Sequence, residues 1–434
     1  MSNRTKIVLL LFFLLAVRTL FGLSQPLFST DELQTFLIGL RFYCTGSWPY
    51  FGPDLIVTET GFYTQIPGAL EPLVIGLPLY LFPFPEAPII VLNILSFGAL
   101  VLLAWYTAKR LPKMPFWFIL SWISLLPWTL YESTRIYNPS YLLLGGTLFF
   151  IGFMEAMPSL SLRWLKLPWA FAFMGFGLLW CMQFHFSWIL LPPFIALAFG
   201  ARLRNKGEGW VGALAGFALG AAPLAALLVP TLVQFGWRRV LGGGGTSQFF
   251  CLQNIEAFFT ILARYLSFAC YEILRFLGSG PARWDFFKSA PWMAPPGFFL
   301  IAVGYVQPFL LLGFGWFLWT KGQKSVVSLA FGAFLLLYIS FWFTSKDPLA
   351  HIYYVLLPVV LLYSFYVWNE LAQRRFFRVL GLVCLVLSLW FAVGTSIKNM
   401  RNPGSLYNNR ALAAKAVQEK NYHLLGERRP GSFN

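Results

Sequence analysis

Charge is scarce in this chain. Of 434 residues only 11% are Asp, Glu, Lys or Arg, where a soluble domain carries roughly 25%. An ordinary soluble globular enzyme is thereby excluded. Acids are scarcer than bases, 16 Asp+Glu against 32 Lys+Arg. The five cysteines give no disulfide framework, although Cys44 and Cys251 fall in segments expected on one side of a membrane and could pair. The three histidines do not fall at metal-ligand spacing on one helix, so no protein-built metal site is expected. No Walker or dinucleotide glycine pattern opens a βαβ unit. No small-residue cleavage site follows residues 7–23, which argues against a cleaved signal peptide.

Apolar residues fill the space that charge leaves. They make up 58% of the chain, and aromatics alone 19%, which excludes disorder. The mean hydropathy is +0.67. Long stretches carry no charge at all, and a bilayer core needs about 20 apolar residues per helix. The pattern predicts an all-α polytopic membrane protein of about 11 spans. They fall at 7–23, 87–108, 114–131, 136–154, two within 167–201, then 210–233, 298–320, 325–345, 348–369 and 379–397. The 167–201 run is too long for one helix, and its polar centre Gln183–His185 marks the division.

The formal net charge of +16 would suggest nucleic acid in a soluble protein. Its distribution says otherwise. Arg4 and Lys6, Lys109, Arg110 and Lys113, Arg163 and Lys166, Arg202, Arg204 and Lys206, Lys321 and Lys324, and Arg374, Arg375 and Arg378 share one side. Acids are few among them, Glu208 being one. Short loops rich in Lys and Arg face the cytoplasm, so the surplus is a topology signal and no nucleic-acid partner is expected. The N-terminus is then cytoplasmic and the C-terminus extracytoplasmic, in the cytoplasmic (inner) membrane. The long segments 24–72, 234–297 and 398–434 all lie outside. The first holds Asp31, Glu32, Asp54, Glu59 and Glu71 against Arg41 alone. The cytoplasmic face has no room for a nucleotide-binding domain. Chemistry by this chain would therefore happen outside, on a substrate activated without nucleotides, most simply one carried on a lipid. Residues 1–397 form the expected transmembrane domain and 398–434 a basic extracytoplasmic tail with a short helix at 409–420.

Five places carry residues suited to chemistry. "LFSTDELQTF" puts Asp31 and Glu32 in the first turn of a helix capped by Ser29 or Thr30. Acids suit a helix start, yet a partly desolvated carboxylate at the membrane boundary also suits a general base. Arg18 lies inside the first span near its outer end, where it either snorkels or binds an anion. "YESTRIYNPS" places Glu132, Arg135 and Asn138 in a tight outside hairpin. Asn-Pro is a turn signal, but an outside Arg in a short loop runs against the charge rule. His185 lies between two spans, and Lys346, His351 and Tyr353 open a late one. Gly242–Gly245 lack the Gly-Lys-Ser/Thr ending of a phosphate loop and read as a hinge. Residues 254–277 read as an amphipathic helix in the interface.

These pieces in this order resemble the GT-C superfamily of membrane glycosyltransferases, in the branch of protein O-mannosyltransferases and lipid A aminoarabinose transferases. The matching features are Arg18, the Asp31–Glu32 pair, "TGSWPYFGP", "QIPGALEPL", "RIYNPS", "QFHFSW" and "HIYYVLLP", over about residues 5–400. The resemblance implies transfer of a sugar from a polyprenyl-phosphate-linked donor to the hydroxyl of an acceptor glycan, lipid or protein. It implies Asp31 as the base, Glu32 in support, and Arg18, Arg135, Lys346 and His351 as cations for the leaving phosphate, with Asn138, His185 and Tyr353 among the substrate-binding residues. It implies no organic cofactor; divalent-metal dependence stays open. Two other readings stay open from the residues themselves, a transporter or lipid flippase and a scaffolding role. Membrane lipids are partners under any of them.

Overall fold

A computed structural model describes residues 2–25, 28, 30–57, 63–204, 209–241, 250–277, 280–344, 349–401 and 404–426. The chain is an all-α multi-pass membrane protein. Its helices are α1 (Asn3–Leu23), α2 (Thr30–Thr45), α3 (Leu70–Leu81), α4 (Ala87–Arg110), α5 (Phe116–Leu125), α6 (Pro127–Tyr131), α7 (Leu142–Ala156), α8 (Leu167–Met182) and α9 (Pro192–Arg204). They continue as α10 (Trp210–Leu241), α11 (Leu252–Glu256), α12 (Phe258–Ser267), α13 (Gly280–Ser289), α14 (Ala294–Thr320), α15 (Lys324–Phe341), α16 (Leu357–Leu371), α17 (Arg375–Arg401) and α18 (Gly404–Gln418).

Among the described residues, nine helical segments are long and apolar enough to cross a bilayer. The two remaining expected spans are shorter. α8 has 16 residues. The 114–131 span breaks into α5 and α6, because Pro127 supplies no N–H and forces Leu126 out of the helical region, to φ −63 and ψ 141. The 167–201 run divides where the polar centre predicts, α8 ending at Met182 and a 3-10 turn beginning at Phe186. The span ending in α7 and the one ending in α16 are buried nearly all round, whereas those of α1, α10, α14 and α17 keep broad exposed apolar faces for lipid. α8 and α10 approach closely, since Gly216 and Gly220 lay bare backbone against the Pro168 and Ala172 carbonyls, where any Cβ would collide.

Three departures from the sequence expectation bear on the site. The first loop contains an antiparallel hairpin, β1 (Phe51–Val57) with β2 (Tyr63–Pro67), which hydropathy did not signal. The expected single helix over 254–277 is three pieces, α11, α12 and a 3-10 turn Ile273–Leu277. Helical bonding yields there to a tertiary bond, as the Tyr271 N–H donates to Gln307 Oε1 of α14 at 2.7 Å. The pairing left open for Cys44 and Cys251 is not made, and all five cysteines are free thiols. Cys251 is buried with its N–H on the Trp342 carbonyl at 2.7 Å. The tail helix begins earlier than the expected 409, at Gly404. The expected Gly242–Gly245 hinge lies outside the described residues.

Candidate functional site

The site grows from the exit of α1. The chain turns through Phe28, whose φ of 59 lies in the left-handed region, and α2 starts with Asp31 and Glu32 in its first turn. Successive helix positions point about 100° apart, so the two acids face different surroundings. Asp31 is exposed and Glu32 is buried. Across from Glu32 the segment after α6 brings up Arg135. Its Nε lies 3.5 Å from Glu32 Oε1, and its Nη2 lies 3.7 Å from Glu132 Oε1.

Burial pushes the Glu32 carboxyl up to about 7, opposed by the Arg135 charge and the facing Phe28 N–H, and reinforced by Glu132 and Asp31. Glu132 is likewise raised by burial, against the pull of Arg135 and Arg275. The two acids more than offset the burial of Arg135 and hold its guanidinium charged. An acid near neutrality beside a fixed cation is the arrangement general acid–base chemistry needs.

The hairpin carrying Arg135 is pinned through its backbone. Ser96 Oγ donates to the Ser133 carbonyl at 2.9 Å, and Asn93 Nδ2 to the Thr134 carbonyl at 3.2 Å. Ser133 Oγ and the Tyr354 hydroxyl share a 2.6 Å hydrogen bond. The Arg135 guanidinium sits 5.6 Å over the Tyr137 ring, whose edge meets His351 at 5.9 Å. Asn138 is buried and opens the 3-10 turn Asn138–Tyr141.

Beyond Glu132 lies a second cationic group. Arg275 stacks 4.9 Å over Trp128. With Arg264, Arg283 and Glu272 it lines a largely apolar cavity of about 610 Å³ between the α12 region and α14. Tyr305 and Phe309, exposed on α14, form part of its wall. Tyr353 is buried against Phe268 and Phe341, and the Arg264 and Arg275 charges act on it. Sequence reasoning placed Arg264 and Arg275 only on an interfacial helix. Their signal was the charge recurring within an otherwise apolar segment.

Other expected site residues have different surroundings. Arg18 is wholly buried, its Nη1 and Nη2 donating to the Ser124 and Thr129 carbonyls at 2.9 Å each. It thus bridges a carbonyl near the end of α5 and one in α6 inside the bundle. His185 caps the 3-10 turn Phe186–Leu190, its Nδ1 accepting the Ser187 N–H at 3.1 Å. That turn packs on the one that carries His351 and Tyr353. Lys346 lies outside the described residues. Among the described residues no group of three or more His, Cys, Asp or Glu is placed to hold a metal. Glu71, which sequence reasoning counted only as loop charge, is buried in the first turn of α3 with neither oxygen hydrogen-bonded. Burial holds its carboxyl well above the ordinary range.

No protein-family model matches the chain, and no curated protein matches it. Two solved structures do. ArnT from Cupriavidus metallidurans bound to undecaprenyl phosphate matches with a TM-score of 0.47 and 14% identity, over 98% of this chain and 77% of that one. The apo state of the same ArnT matches with a TM-score of 0.48 and 12% identity, over the same shares, 98% and 77%.

Proposed function

We propose that this chain is a membrane glycosyltransferase that moves a sugar from a polyprenyl-phosphate-linked donor to an acceptor hydroxyl at the extracytoplasmic end of its bundle. One observation carries the reading. A row of charge, Glu32–Arg135–Glu132, with Arg275 acting on Glu132 in turn, leads from the acidic turn toward an apolar cavity lined by three arginines. A polyprenyl chain suits the apolar wall and a phosphate suits the guanidinium groups. A sugar between them would stand beside the acids.

In this reaction Asp31, the solvent-facing acid, takes the acceptor proton as the hydroxyl oxygen attacks C1. The bond from C1 to the phosphate oxygen breaks with inversion, and the polyprenyl phosphate leaves with the electron pair. That leaving group needs cations more than it needs a proton. Arg275 and Arg264 stabilise it, with Tyr353 beside them and Lys346 and His351 as further candidates. Glu32 holds Arg135 in place and tunes the field at Asp31. The acceptor is a glycan, lipid or protein hydroxyl, and the lysine- and arginine-rich loops support a cytoplasmic position for the opposite end of the bundle.

The test is transfer from a radiolabelled polyprenyl-phosphate sugar by purified protein in liposomes. Asp31→Asn should abolish transfer while the protein stays folded. Unchanged turnover in that variant would end the reading. Donor lipid crossing the bilayer with its sugar still attached would favour a flippase instead.

A further inference from the structure

The basic tail is not a loose appendage. α18 buries Ala413, Ala416 and Val417 completely, an apolar stripe at i, i+3 and i+4. Beside that stripe two polar side chains reach the turn between α1 and α2. The Arg410 guanidinium donates to the Leu23 carbonyl, one of the orphan acceptors at the end of α1. Asn409 Nδ2 donates to the Phe28 carbonyl at 3.4 Å. Further along, Lys420 sits 5.2 Å over the Tyr43 ring and Tyr422 lies 6.0 Å from the Arg41 guanidinium, both on α2.

Phe28 is the pivot. A left-handed backbone costs a bulky residue about 1–2 kcal/mol and persists only where its surroundings over-determine it. Here the ring is buried 4.7 Å from Phe36, the carbonyl is held by Asn409, and the N–H faces the Glu32 carboxylate. The tail therefore touches both ends of the turn that carries the acids, and the far end of the helix that follows it.

We propose that α18 is a positioning strap for the acidic turn, with Asn409 and Arg410 as positioning residues that set the placement of Asp31 and Glu32 against Arg135. The inference rests on the transfer reading above. It assigns the tail a part in turnover, with donor binding left to the arginine-lined cavity.

Full-length Asn409→Ala/Arg410→Ala should lose roughly tenfold to a hundredfold in kcat, the scale of a misplacement of about 1 Å, while the donor KM moves less than about twofold. Arg410→Lys should recover part of the loss. The half-buried Cys44 thiol, which neighbours Tyr422 and Lys420, gives a readout independent of chemistry. Its labelling by a membrane-impermeant maleimide, followed by mass spectrometry, should speed up in the double variant. Faster labelling with unchanged kcat would overturn the positioning role, as would a fall in kcat matched by an equal rise in KM. Unchanged labelling would overturn the strap itself. If the wild-type protein transfers no sugar, the transfer reading fails, and the labelling result alone then decides whether α18 holds the turn.

Discussion

Arg135 stands 3.5 Å from Glu32, and Glu32 is buried while Arg135 keeps a third of its side chain exposed. A carboxyl held up to about 7 keeps its proton in the folded protein across a window where the unfolded chain has released it. Folding stability therefore falls as pH rises from the ordinary carboxylate range through about 7. Glu32→Gln cannot lose that proton, so it should flatten the dependence. Thermal melts at pH 5 and pH 8 should converge at the acid end and separate at the alkaline end, where the variant is the more stable by on the order of 3 kcal/mol. Parallel curves would contradict this. Arg135→Ala removes the cation that favours the charged carboxylate, so the pH dependence should move further toward alkali.

The arginine-lined cavity is expected to act on the donor. Arg264→Ala and Arg275→Ala should each raise the donor KM by about tenfold or more, the loss of one charge-assisted hydrogen bond. Steady-state kinetics with a water-soluble short-chain polyprenyl-phosphate sugar would measure it. An effect on the acceptor KM alone would move the phosphate elsewhere.

Arg18 should behave in the opposite way. Its two terminal nitrogens satisfy the Ser124 and Thr129 carbonyls inside the bundle. Arg18→Ala strands both, and the melting temperature in detergent should drop by the equivalent of about 3 kcal/mol. The surviving folded protein should keep the wild-type donor KM. A normal melt with a raised KM would return Arg18 to the phosphate.

The division between legible and illegible features follows physical range. Spans were readable because their uncharged runs are local, and the α8–α9 division was readable from the polar Gln183 and His185. The α5–α6 break was marked by Pro127, but the buried arginine bridging it could not be located without knowing which carbonyls face Arg18. Asp31 and Glu32 were visible as a pair. That one is exposed and the other buried depends on Arg135, about a hundred positions away, and no spacing rule carries that information. Arg275 escaped for the same reason, since Trp128 lies on α6 and Glu132 at its end. The β1–β2 hairpin lacks strong alternation. The tail read as basic and helical, yet its grip on Leu23 and Phe28 joins the two ends of the chain.

Glu71 offers the sharpest test of buried charge in this fold. Both of its oxygens are buried and without a hydrogen bond, the Tyr141 hydroxyl close by is also unpartnered, and Gly52 lies against Oε2. An ionised carboxylate there would cost more than folding can supply, so the group is held neutral, well above its ordinary range, by burial. Glu71→Gln keeps the shape and the neutrality. It should leave the melting temperature unchanged at pH 5 and raise it relative to wild type at pH 9, because the unfolded wild-type chain is stabilised by losing a proton that the folded one retains. Glu71→Lys should fail to fold, since the same cavity would then hold an unpaired cation. If Glu71→Gln instead melts lower at every pH, the carboxyl must be making a contact that an amide cannot replace.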